Sequence, residues 1–256
     1  MTKRVIVIGS GIIGAAIAWH LAKAGAAVTV IEAGDAGGLA TRNSWAWINA
    51  SWGNPEIYFR LRTRSMAEWR RIDREVPGLE VSWCGGLTWD LPPDQLEAYA
   101  VEHSAWGYGI KRVDRAGALR IEPNIKQPPD FALHVPEEGK VEPLAAALAL
   151  LAGAEALGAT VLRGSPVKWL EEKHGRVVGA CLNDGVLHAD EVVIAAGAES
   201  GALLGSIGLS YDIGAPAGLL VHSKPAGEIL HTLLQTPEVH VRQTSDGRLV
   251  AGADFS

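Results

Sequence analysis

The residues best suited to chemistry lie near the amino end. Gly9-Ser10-Gly11-Ile12-Ile13-Gly14 sets three glycines in a G-x-G-x-x-G spacing, and Glu32 follows 18 residues beyond Gly14. This spacing serves a dinucleotide. Gly9 permits a sharp turn, Gly11 lets backbone approach a pyrophosphate with no side chain between, and Gly14 allows a following helix to pack close to a sheet. The start of that helix offers free N–H groups and partial positive charge to phosphates. A carboxylate at Glu32 can accept hydrogen bonds from ribose hydroxyls, and its charge repels a 2′-phosphate, which disfavours NADP. A glycine-rich structural turn is the other reading of the spacing taken alone.

These residues need a strand, a turn and a helix in register. Val5-Ile6-Val7-Ile8 is a continuous β-branched run, as in a strand covered on both faces of a parallel sheet. Ala15 to Ala24 reads as a helix stopped by Gly25. Val28-Thr29-Val30-Ile31 reads as the next buried strand, ending in Glu32. The parts fall in the order that a dinucleotide-binding unit demands.

The glycines do not separate a nicotinamide from a flavin dinucleotide; the rest of the chain bears on that. After Glu32 comes a long flexible loop, Ala33 to Gly38, where an NAD-linked dehydrogenase continues with alternating strands and helices. A helix is predicted from about Pro55 to Val76, with Tyr58, Leu61, Ser65, Trp69, Ile72 and Val76 as its apolar stripe and its arginines as a solvated face. Pro143 to Ala159 is the most apolar helix candidate. Val161-Leu162 and Pro166 to Leu170 read as strands, and Arg176 to Ala189 as a β-meander turning at Asp184-Gly185. Asp190 to Ala198 reads as a buried strand ending in small residues. Such an ending marks the ligand crevice of an open α/β sheet, with a tight strand–helix turn as the alternative.

The combination resembles the FAD-dependent D-amino-acid oxidase superfamily, which includes glycine oxidase and sarcosine oxidase. The matching residues are Val5 to Gly14, Glu32, Ala40-Thr41-Arg42-Asn43-Ser44, Val167 and Val192 to Ala198. The resemblance runs through essentially the whole chain in order. It implies FAD as cofactor, with Gly9, Ser10, Gly11, Ile12, Ile13, Gly14, Glu32 and Ala33 at its first approach. Thr41, Arg42, Asn43 and Ser44 would lie near the pyrophosphate and flavin. The backbone of Val167 would meet the adenine side, and Ala196-Gly197 would approach the cofactor again. The implied fold class is α/β, a discontinuous Rossmann-type FAD-binding domain with an inserted α+β substrate domain built on an antiparallel sheet. Residues 1–78 and 140–210 would form the first domain, and 79–139 with 211–256 the second.

Short strands in the second domain support that division. Leu87 to Asp90, Phe131 to Val135, Leu219 to His222 and Val239 to Arg242 read as strands, with a helix from about Pro93 to Trp106. Ser245-Asp246-Gly247 supplies a hairpin turn into Leu249-Val250-Ala251. Trp45, Trp47 and Trp52 follow the expected flavin loop, either as walls of an aromatic substrate pocket or as ordinary packing. His240 and Arg242 alternate on one strand face, as a pair meeting a ligand or as an exposed face.

Composition narrows the classes further. A net charge of −6 argues against nucleic acid as the main partner. Cys84 and Cys181 form no C-x-x-C pair, which leaves no disulfide framework or thiolate metal site, and the histidines show no metal-ligand spacing. The Pro143–Ala159 stretch is too short for a membrane span, and Lys3-Arg4-Val5 enters a strand without a signal peptide. The reading is a soluble, cytoplasmic protein.

The resemblance implies oxidation of the C–N bond of a small amine or amino acid, by hydride transfer to the flavin. Family members continue beyond Asp254-Phe255-Ser256, and the part that follows supplies a carboxylate-binding arginine. The chain therefore reads as a fragment; a split protein completed by a partner chain and a short variant are the other readings. No catalytic residue is nominated. An NAD-linked dehydrogenase and a non-catalytic nucleotide-binding subunit are the functional alternatives.

Overall fold

Val5 to Ile8 have no polar side chain to spend on water, and all four are buried, as are Val28, Val30 and Ile31. Burying a side chain of this size contributes about 1.5–3 kcal/mol, which favours a central position in a sheet. The computed structural model, which describes residues 2–51, 53–214 and 218–252, places both runs there. Trp52 and Asp254-Phe255-Ser256 lie outside the described residues.

The chain divides into two compact units, one of Met1–Ser44, Val76–Leu79 and Pro143–Ala217, the other of Trp45–Glu75, Glu80–Glu142 and Gly218–Ser256. The first unit holds a four-stranded parallel sheet in the order Glu191–Ile194, Arg4–Ile8, Ala27–Ile31, Thr160–Leu162. The helix Ile12–Lys23 follows the first strand and packs on the helix Pro143–Ala156. Small residues allow that approach: a Cβ added at Gly153 would lie 2.9 Å from the Trp19 ring. A three-stranded antiparallel meander, Trp169–Lys173, Arg176–Leu182 and Gly185–His188, covers the sheet through Leu170 and Ala180, which share a buried cluster with Ile6, Ile8 and Ile31. Residues 166–168, expected as part of a strand, precede it without regular structure.

The second unit is built on a seven-stranded sheet in the order Leu220–His222, Leu249–Gly252, His240–Gln243, Leu233–Gln235, Gly86–Thr88, Phe131–Val135, Lys111–Asp114. Its pairs are antiparallel except Leu233–Gln235 against Gly86–Thr88. A smaller antiparallel sheet joins Trp47–Ile48, Gly139–Val141 and Val81–Ser82. On one face of the large sheet Leu87, Ala132 and Leu234 share a buried cluster with Ala118 of the helix Arg115–Ile121.

Three sequence expectations are corrected here. The long arginine-rich helix runs Glu56–Glu75; Ile72 and Val76 of the expected stripe are buried, but Tyr58 and Leu61 are exposed and Phe59 and Met66 are buried in their place. The stripe is rotated because Phe59 docks among the rings of His103, Trp106 and Tyr108, at centroid distances of 5.3–5.7 Å. That docking also explains why residues 45–75, expected with the first domain, pack in the second unit. Nor are the arginines uniformly solvated. Arg62 donates to the carbonyls of Asn49 and Ser51, both at 3.1 Å, and Arg70 stacks on Trp83 at 4.1 Å.

Candidate functional site

The glycine turn is assembled from backbone. Gly9 leaves the first strand at φ +102° and donates to Ile31 O at 2.8 Å. A Cβ there would meet Ala195 O at 2.3 Å, so the end of the Glu191–Ile194 strand lies directly against it. At Gly14 a Cβ would stand 2.0 Å from Gly9 O. These two contacts bring the helix start, the first strand and the Ala195-Ala196-Gly197 segment to one point. Gly197 turns away from it at φ +58°.

At the helix N-terminus, Gly11 gives no side-chain cap and the first turn carries no acidic residue. The Ile12 amide is met by Thr41 Oγ1 at 3.0 Å, and an added Cβ at Gly11 would come within 3.1 Å of the same atom. Positive helix-end charge with no acidic residue beside it suits an anionic phosphate. Ile13, on the first turn, is 65% exposed despite its apolar side chain.

Glu32 sits at the end of the second strand. Ser10 N and Ser10 Oγ donate to its Oε2 at 3.0 and 2.5 Å, and Gly34 N to its Oε1 at 3.0 Å. Burial opposes its charge, but bonds from Gly34, Ser10 and Ala33 outweigh that and hold the carboxyl below its ordinary range. Glu32 is therefore an anchored anion. A carboxylate offers about four lone-pair positions, and Ser10 N, Ser10 Oγ, Gly34 N and Ala33 N all point to them.

The segment after Glu32 is not the flexible loop expected. Ala36 and Gly37 are buried, and Gly37 N donates to Ser10 Oγ at 3.1 Å. A Cβ on Gly38 would meet Gly11 Cα at 2.9 Å. Ser10, Glu32, Gly37 and Gly38 thus form one hydrogen-bonded wall beside the glycine turn. The Gly37-Gly38 pair was the signal for it in the sequence.

Not every expected residue joins this wall. Arg42 donates to Gly38 O and Ala36 O, and Asn43 Nδ2 to Leu39 O at 2.9 Å, so both point back along the short helix Leu39–Arg42. Ser44 closes the same turn through its amide to Thr41 O at 3.1 Å, and Ala33 is exposed. Val167 and Ala196 both pack on the cluster that contains Ile8 and Ile31.

The second unit carries polar groups of another kind. Glu138 is 1% exposed; Tyr108 donates its hydroxyl to it, and Trp47 donates its indole N–H at 2.9 Å. Burial raises its carboxyl to about 8 against the pull of those two donors. Arg242, expected on an exposed face, is 2% exposed and paired with Glu142 at 3.0 Å. Its strand lies third in a sheet of seven, so the side chain is covered and needs a counter-charge. His240 stands 3.3 Å from Asp90. The ring centroids of Trp45 and Trp47 are 5.7 Å apart, with their planes at 88°. Sequence reasoning missed Glu138, Asp90 and Glu142, because single carboxylates carry no spacing signal.

The turn with its bare backbone, the helix start with no acidic residue beside it and the anchored carboxylate fit a dinucleotide. Comparisons with known proteins agree. The family model described as FAD dependent oxidoreductase matches residues 4–256. Glycine oxidase of Bacillus licheniformis is 30% identical over 262 residues, covering 99% of this chain and 70% of that protein. Glycine oxidase of Pseudomonas aeruginosa is 28% identical, over 99% of this chain and 71% of its own. Among solved structures, iminodiacetate oxidase from Chelativorans matches 98% of this chain and 71% of its own at 25% identity with a TM-score of 0.85. L-proline dehydrogenase from P. horikoshii shares the fold, with a TM-score of 0.88 over 99% of this chain and 70% of its own at 24% identity. These likenesses favour neither an NAD-linked dehydrogenase nor a non-catalytic subunit. With a family model matched from Arg4 onward and a relative at 30% identity, the chain belongs to the FAD dependent oxidoreductase family.

Proposed function

We propose that this chain uses FAD to oxidise the C–N bond of a small amine or amino acid. The observation that carries the reading is the convergence of Gly9, Gly14 and Ala195 on one point beside a helix start that carries no acidic residue. Its sequence relatives named glycine oxidase supply the substrate class. FAD, when bound, supplies the two-electron acceptor. In this reading Gly11 and the start of Ile12–Lys23 would hold the pyrophosphate, Glu32 would face the ribose, and Thr41, Ala196 and Gly197 would lie beside them. The protein binds and orients, while the redox chemistry belongs to the cofactor. A cytoplasmic location goes with this reading, and cell fractionation tests it.

The direct test is a visible spectrum after adding FAD and desalting. A retained two-band flavin spectrum that bleaches anaerobically with glycine or another small amine is the expected result. Glu32→Gln should weaken FAD retention about tenfold, the loss of one charge-assisted hydrogen bond. A chain that holds no flavin, or holds it without bleaching by any amine, contradicts the proposal.

A further inference from the structure

Oxidation at a C–N bond needs a neutral amine, and one face of the seven-stranded sheet holds groups suited to making one; this inference rests on the function just proposed. Residues paired across neighbouring strands share a face. Thr88 is paired with Gln235, and Gln235 with His240, so three polar side chains stand in a row across three strands. Arg242 follows His240 on the same side, two residues on. The other face carries Leu87, Leu234 and Val241. Packing alone gives no reason for a polar row, because buried polar groups cost free energy unless they are satisfied.

The row is ordered around Asp90. Thr88 Oγ1 donates to its Oδ1 at 2.9 Å, and its Oδ2 lies 3.3 Å from His240 Nε2. A carboxylate facing Nε2 favours the tautomer protonated there, which leaves Nδ1 as the nitrogen with a lone pair. Trp45 flanks the imidazole at a centroid distance of 6.1 Å and is tied to Val250 O through its indole N–H at 3.2 Å. The His240 side chain is 31% exposed, so a small molecule can reach it. Gln235 is 2% exposed, and its Nε2 has no acceptor among the described residues. A buried donor left unmet costs about 1–3 kcal/mol, and the oxygen of a ligand would relieve it. Other charges lie near the row: Arg242 is paired with Glu142, Lys140 interacts with both, and Arg62 with Glu138. Asp90 is the carboxylate that faces the ring directly.

We propose that His240, oriented by Asp90 and Thr88, accepts a proton from the ammonium group of the substrate. One N–H bond of the ammonium breaks and leaves its electron pair on nitrogen, and a new N–H bond forms at His240 Nδ1. The products are an imidazolium facing Asp90 and a neutral amine, whose lone pair can become the second bond to carbon when the C–N bond is oxidised. Asp90 is a positioning residue.

The test uses the FAD-loaded full chain and 2-methylalanine, an amino acid with no α-hydrogen to lose. Binding is read from perturbation of the flavin absorbance, and His240 from its imidazole proton resonance, assigned by its absence in His240→Gln. Flavin perturbation together with movement of that resonance towards the imidazolium position is expected. Flavin perturbation with the resonance unmoved overturns this inference and leaves the proposed function intact. No perturbation by 2-methylalanine, with no bleaching by glycine, overturns both. In anaerobic bleaching by glycine, His240→Gln should slow the maximal rate at least tenfold while changing the half-saturating concentration less than twofold. Asp90→Asn should slow it similarly, and Asp90→Glu should recover part of the rate. A His240→Gln rate equal to that of the unaltered chain overturns the inference.

Discussion

The two units recognise chemistry by opposite means. In the first, the site is made of backbone: Gly9 and Gly14 matter for the atoms they lack, and the one charged group, Glu32, is held by main-chain amides and a serine. In the second, side chains carry the chemistry, and several are buried and titratable, with Glu138, Arg242 and Glu122 all at most 2% exposed. Glu122 accepts from His231 N, Thr232 N and Thr232 Oγ1 through one oxygen, and the other has no partner among the described residues. Backbone sites fail sterically when a Cβ is added. Side-chain sites fail electrostatically when a charge or partner is removed, and their failure depends on pH.

The largest expected effect is in the first unit. Gly14→Val places a branched side chain where even a Cβ would stand 2.0 Å from Gly9 O. The helix must shift off the sheet, at a cost of about 3 kcal/mol or more. Urea unfolding should show the lost stability, and desalting should show loss of FAD. Stability and FAD retention close to those of the unaltered chain would break the contrast between the units.

An intermediate effect is expected at Glu138. Its carboxyl is held at about 8 by burial, far above the ordinary range. The unfolded chain ionises first, so between the ordinary range and about 8 the folded state binds the extra proton, and stability falls as pH rises through that window. Glu138→Gln removes this titration and should flatten the slope by one proton, about 1.4 kcal/mol per pH unit. Melting temperatures measured across the window, with and without the substitution, would check it; identical slopes would count against the buried acid.

The smallest effect belongs to the surface. Arg112 and Glu97 form a bidentate pair at 2.7–3.0 Å, with side chains 42% and 48% exposed. Water screens such pairs, and Arg112→Ala should leave the melting temperature and FAD retention unchanged. A clear drop in either would mean that surface charge also shapes this unit.

Legibility in the sequence followed the same divide. The strand Phe131–Val135 and the helix beginning at Pro93 stand where their patterns placed them. Lys111–Asp114, Leu233–Gln235 and Gly139–Val141 were not anticipated. These strands are short, and Lys111-Arg112-Val113-Asp114 shows no apolar alternation; they form by pairing with neighbours distant in sequence. The rotated stripe of Glu56–Glu75 has a similar cause, since Phe59 answers to an aromatic cluster some forty residues away rather than to its own helix.

The sequence alone determined the glycine turn, the buried parallel strands and the acidic strand end, because each depends on neighbours within one βαβ stretch and on the absence of a Cβ. Tertiary structure decided which lone carboxylates matter. Nothing local distinguishes Asp90, Glu138 or Glu142 from the many exposed acids. Their roles arise when pairing across the sheet sets Asp90 against His240 and Glu142 against Arg242, or closes the chain over Glu138. Burial and partnership are long-range properties, and a carboxylate takes its charge state from them.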